Sequence, residues 1–149
     1  MAGHHVFQPD LGPPGRHPFS FELSWGPDRL GEWLDPTGDA FLWQEARGSL
    51  TAGGLCEAAP CTGTLALDYP RGRIRYTLDF EATSPANGES VLCRYVGEKL
   101  RLRPWNLLTT HTTCYGTLVE LASGRLVSRS IVTFRLRHLP RFLASLRWV

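Results

Sequence analysis

The sequence predicts an all-β domain, an up-and-down antiparallel barrel closed by a C-terminal helix. Three observations carry that prediction. Residues 73–82, RIRYTLDFEA, alternate Ile74, Tyr76, Leu78, Phe80 and Ala82 with Arg73, Arg75, Thr77, Asp79 and Glu81, so one face of a strand is dry and the other wet. Further strand-like runs follow along the chain with turn residues between them, and no helix-length spacers of a parallel sheet intervene. The final run, HLPRFLASLRWV, sets Leu139, Phe142, Leu143 and Leu146 on one helical stripe after Pro140.

Residues 1–18 mix Gly, Pro and His without a hydrophobic period and are expected to form a flexible N-terminal arm, leaving 19–149 as a single β-barrel domain. Phe19, Phe21 and Leu23 alternate with Ser20, Glu22 and Ser24 as a short strand, and Leu30, Trp33 and Leu34 have helical spacing after Pro27. Leu65, Leu67 and Tyr69 alternate in GTLALDY; Pro70-Arg71-Gly72 then turns the chain into RIRYTLDFEA as an antiparallel hairpin. SPANG, 84–88, is the next turn. VLCRYVGEKLRLR, LLTTHTTCYGTLVEL and RLVSRSIVTFRL follow, the last two separated by Ala122-Ser123-Gly124. At least six long neighbouring strands leave edges that must be hidden, and closure into a lipocalin-like barrel hides them most completely. A strongly curved open sheet is the alternative.

Composition narrows the function. A chain of 149 residues with 42% hydrophobic and 20% charged residues suits one compact core. Its 16 basic and 14 acidic side chains leave a net charge of +2, too little to draw in nucleic acid or an anionic membrane. Near Tyr76 the basic residues Arg71, Arg73 and Arg75 face away from the ring, whereas a nucleic-acid platform needs both on one side. No membrane span and no signal peptide are legible, so a soluble, cytoplasmic protein is expected. Cys56, Cys61, Cys93 and Cys114 read as free thiols. Cys56 and Cys61 enclose EAAP with no second close Cys or His pair, so no metal is expected. Nor is a cofactor: Ala52-Gly53-Gly54 lacks the lysine and the strand-to-helix setting of a phosphate loop.

The segment 106–120, NLLTTHTTCYGTLVE, holds the most chemistry. On a strand, His111 shares a face with Thr109, Thr113, Tyr115 and Thr117, while Cys114 lies opposite with Leu108, Thr110, Thr112, Gly116 and Leu118. A Cys114–His111 dyad is therefore disfavoured. The His111 face reads either as the polar lining of a pocket or as an outer wall, since threonine is a good strand residue. A ligand-binding interior is expected to comprise Leu65, Leu67, Ile74, Tyr76, Leu78 and Phe80, with polar orientation from Tyr95, His111 or Tyr115. Trp25, Trp33 and Trp43 precede the long strands and could plug or gate one end.

YVGEKLRLRPW, THTTCYGTLVE and RSIVTFRLRHLPRFLASLR, in that order, resemble a lipocalin-like module associated with flavin-dependent oxidoreductases of the glucose-methanol-choline, cholesterol-oxidase-like type. Gly97-Glu98-Lys99, Thr112-Thr113 with Tyr115, and Phe142-Leu143 carry the resemblance, over about the C-terminal 85 residues. His111 stands where an acidic residue is expected, and Pro140-Arg141 replaces an expected Asp before Phe142. The resemblance implies a barrel and an oxidoreductase neighbour. It brings no flavin, because no Gly-x-Gly-x-x-Gly opens a βαβ unit. The leading expectation is a binding module for a small apolar or amphipathic molecule, lipid- or sterol-like and accessory to an oxidoreductase. The alternatives are a structural domain that docks on an oxidoreductase or on itself, and a small enzyme using His111 or Tyr115.

Overall fold

A computed structural model describes residues 1–27, 29–68, 70–100 and 112–134. Eight strands form a closed antiparallel barrel: β1 (Ala2–Phe7), β2 (His17–Trp25), β3 (Trp43–Ala52), β4 (Cys56–Asp68), β5 (Arg73–Thr83), β6 (Ser90–Leu100), β7 (Thr113–Glu120) and β8 (Leu126–Thr133). Each strand pairs with the next, and β1 closes the ring on β8. Among the described residues one short helix, α1 (Leu30–Leu34), lies between β2 and β3. The expected helix after Leu139 lies outside the described residues, as does His111.

The expected N-terminal arm is corrected over Ala2–Phe7. That segment is a strand held on both sides, with His4 opposite Pro18 of β2 and Ile131 of β8. The physical reason is that AGHHVF has an inward face of His5 and Phe7, which a hydrophobic scan half misses, whereas the open edges of β2 and β8 demand a backbone partner.

Elsewhere the alternation in the sequence becomes the inside and outside of the barrel. In β5, Ile74, Leu78, Phe80 and Ala82 are buried; in β6, Cys93, Tyr95, Gly97 and Lys99 are. Outside, Asp79 takes two bonds from Arg94 at 2.6 and 2.7 Å, and Glu98 accepts from Arg75, each pair directly opposite in register. Charged cross-strand pairs of this kind are what a solvated face requires. The β3–β4 hairpin slips register between Leu50 and Ala52, where Ala58 has φ of 46° and its N–H is taken by Thr51 Oγ1 at 3.0 Å. Such a bulge bends the pair toward closure.

The middle of the barrel is filled by rings. Tyr95 lies 4.9 Å from Phe19 and 5.7 Å from Phe21, and Phe21 lies 5.4 Å from Tyr76. With Leu50, Leu78, Leu118 and Val132 these form the core, each large apolar side chain contributing about 1.5–3 kcal/mol by its burial. Two facing glycines make room for the Tyr95 ring. Gly97 pairs with Gly116, and a Cβ on Gly116 would come within 2.2 Å of the ring, one on Gly97 within 2.5 Å of the hydroxyl. Gly116→Ala should therefore lower stability by about 1–3 kcal/mol through overpacking. Denaturant titration should find the loss reduced in a Tyr95→Leu background, as a double-mutant cycle on a direct contact requires.

Candidate functional site

The two ends of the barrel differ. At one, the turns 53–55, 84–89 and 121–125 are short; the other carries α1 and the β4–β5 turn. At the short-turn end, a hollow of about 20 Å³ lined by Leu55, Val91, Cys93 and Val127 has room for about one water. The α1 end is chemically richer.

There the inward residues run in hoops set by strand register. Gln44 of β3 stands opposite Leu65, Leu65 opposite Tyr76, and Tyr76 opposite Gly97; one inward step nearer the mouth, Leu67 faces Ile74 and Ile74 faces Lys99. Leu65 and Ile74 are buried, with Ala46, in an apolar cluster against which Leu23, Leu67 and Tyr76 pack. Within this wall sit two polar side chains of an unusual kind. Lys99 is only 8% exposed, and its ammonium lies 5.6 Å from the Tyr76 ring centroid, with no carboxylate among the described residues within ion-pair distance. Burial pulls its pKa below the ordinary lysine value. Gln44 is 3% exposed, and neither atom of its amide has a hydrogen-bond partner.

Beneath them the Tyr95 hydroxyl forms a floor. It lies 3.6 Å from the Cys114 sulfur and accepts from Ser130 Oγ at 3.5 Å. Burial raises the pKa of Tyr95 well above the usual phenol value and raises that of Cys114, so both keep their protons. The same cause pushes Cys93 up to about 11. All four cysteines are free, but none is set up as a thiolate nucleophile.

A second buried polar group lies toward the short-turn end. His5 Nε2 is 3.0 Å from the Gly53 carbonyl, which can only accept, so Nε2 carries the proton and Nδ1 accepts from the Ser128 hydroxyl at 3.0 Å. Phe7 and Phe19 pack edge-on against the ring.

Of the expected ligand-binding residues, Leu65, Leu67, Ile74, Tyr76, Leu78, Phe80 and Tyr95 all belong to the interior: Leu65 and Ile74 to the cluster at the α1 end, with Leu67 and Tyr76 packed against it, and Leu78, Phe80 and Tyr95 to the central core. Tyr115 does not. It is 58% exposed on the outer wall, because Cys114 and Gly116 take the inward positions beside Tyr95. Trp25 and Trp43 are exposed at the ends of β2 and β3, so they stand on the rim and do not plug it. Gln44 and His5 were not singled out from the sequence, and Lys99 entered only as part of Gly97-Glu98-Lys99, not as an interior residue. The parity of VLCRYVGEK, in which Lys99 shares its face with Cys93 and Tyr95, was the signal that could have found the lysine.

Among the described residues, no group of three or more His, Cys, Asp or Glu side chains could hold a metal ion, and no helix is long and apolar enough to cross a membrane. Comparison with protein-family models, with curated proteins and with solved structures returns no match.

Burial lowers the pKa of His5 below the ordinary value of 6.5, so the folded protein prefers the neutral ring. As pH falls below about 6.5 the unfolded chain takes up the proton first, and the stability contributed by a neutral His5 is lost progressively down to the folded-state pKa. Thermal unfolding followed across that range should show wild type losing stability with acid more steeply than His5→Gln, which has no such proton to bind.

Proposed function

We propose that the barrel is a binding module for a small amphipathic molecule held inside it at the α1 end. One observation carries this reading: the Gln44 amide, with no hydrogen-bond partner, and the Lys99 ammonium, with no carboxylate partner among the described residues and only the face of Tyr76 beside it, lie inside an apolar wall of Leu65, Ile74, Leu67 and Tyr76. An unsatisfied buried amide and an unpaired buried ammonium each cost free energy, and a ligand with a polar head and an apolar body would relieve both. Mixed linings with a few placed polar groups are the usual composition of small-molecule sites, and the interior of an eight-stranded barrel is of the size that either side chains fill or one small ligand occupies. The resemblance of the C-terminal half to a lipocalin-like module makes an oxidoreductase the natural partner, with this chain as its accessory and not its catalytic part. Native mass spectrometry of protein purified without detergent should detect a co-purifying small molecule. Leu65→Trp, which fills the wall, should lose it while remaining folded by circular dichroism; a wild-type spectrum with bare protein alone counts against the reading.

A second reading, an interaction domain, is favoured by the outer wall, where Tyr115 and Ile131 stand opposite one another in register at 58% and 41% exposure. If the chain associates with itself there, light scattering should show a dimer that Tyr115→Glu converts to monomer; a monomer at every concentration excludes self-association.

A further inference from the structure

We infer that the head group of the bound molecule is a carboxylate and that Lys99 receives it, an assignment that rests on the interior-binding reading above. Lys99 is the only lysine in a chain with 16 basic residues, and it is placed inside the barrel while the described arginines of the strands lie on the outside. The carboxylates closest in register are already engaged there: Glu98 by Arg73 and Arg75, Asp68 by Arg71 and Arg73, and Asp79 by Arg94. None turns inward to Lys99. The Tyr76 ring attracts the ammonium without neutralising it.

A neutral guest would leave that charge buried and unpaired, whereas an anion gains a charge-assisted bond where water competes little. Among the described residues Lys99 is the one side-chain cation on this inner surface; the Met1 ammonium, close enough to repel it, is engaged with the Phe21 carbonyl at 2.7 Å, so a carboxylate suffices to pair with Lys99. Gln44, in the neighbouring hoop across Leu65 and Tyr76, adds an N–H at the same end of the interior and a carbonyl suited to a hydroxyl on the guest. The walls of Leu23, Leu65 and Ile74 suit an apolar tail.

The test compares dodecanoate with dodecanol and methyl dodecanoate, three probes with the same tail and different heads, by calorimetry on the full chain and on Lys99→Met. Dodecanoate should bind wild type roughly tenfold or more tightly than the neutral probes, the scale of one hydrogen bond to a charged group. Lys99→Met should unfold at a higher temperature than wild type, having lost a buried charge, and should bind all three probes alike. In wild type carrying isotope-labelled lysine, the single side-chain ammonium resonance should move with dodecanoate and stay with dodecanol. If dodecanol binds wild type as well as dodecanoate, or Lys99→Met keeps the preference, the carboxylate assignment falls while interior binding stands. If none of the probes binds and nothing co-purifies, both fall. Should Lys99→Met fail to fold, an ammonium resonance unmoved by saturating dodecanoate overturns the assignment by itself.

Discussion

The pairing of β1 with both β2 and β8 is the contact on which the rest of the molecule depends. Without it, seven strands would form a curved sheet with two open edges, each a row of unpaired N–H and C=O groups. With it, every strand has two neighbours and an inside comes into existence. Inward residues then lose water on all sides at once, which is why a set of side chains as mixed as Phe19, His5, Ser128, Gln44 and Lys99 is buried together.

Closure also dictates how that inside is filled. The centre takes large rings, Phe19, Phe21 and Tyr95, and the glycine pair on β6 and β7 gives the Tyr95 ring the width it needs. Around the Tyr95 hydroxyl, Ser130 and Cys114 satisfy the one polar atom the packing buries there. His5 is handled similarly, with both ring nitrogens bonded. These groups are buried and satisfied, so they stabilise one arrangement and leave no chemistry unspent.

Lys99 and Gln44 break that rule. They lie at the end of the interior where apolar wall gives way to the mouth, and among the described residues the fold gives the Gln44 amide no hydrogen-bond partner and the Lys99 ammonium no carboxylate, only the face of Tyr76. Protein interiors satisfy buried polar groups almost always; apart from Trp33 Nε1 on α1, the unsatisfied Gln44 amide shares one inner surface with the buried Lys99, and together they mark the place where this barrel is adapted to something besides its own stability. The outer surface shows the contrast: Asp79 with Arg94 and Glu98 with Arg75 are matched across strands, although water would have solvated them anyway.

Much of the architecture was legible in the sequence because a period of two survives translation into space. RIRYTLDFEA specifies a strand with a dry face, and Ile74, Leu78 and Phe80 are buried for that reason. The all-β class and the meander order follow from the same signal with its turns. What alternation leaves open is which face of an ambiguous strand is inward. In TCYGTLVE one face carries threonines and a tyrosine and the other a cysteine, a glycine and a leucine, and only the need to pack around Tyr95 turns Cys114 in and Tyr115 out. Nor does local sequence say that AGHHVF, polar and short, is a strand, since its stability comes from two edges far along the chain. The candidate site was half visible: its apolar wall lay in the pattern, but a lysine and a glutamine read as surface residues until closure of the barrel places them inside. Sequence by itself determined the strands and their two faces, because those depend on neighbours along the chain; the tertiary structure decided what lies within, because burial depends on neighbours around the ring.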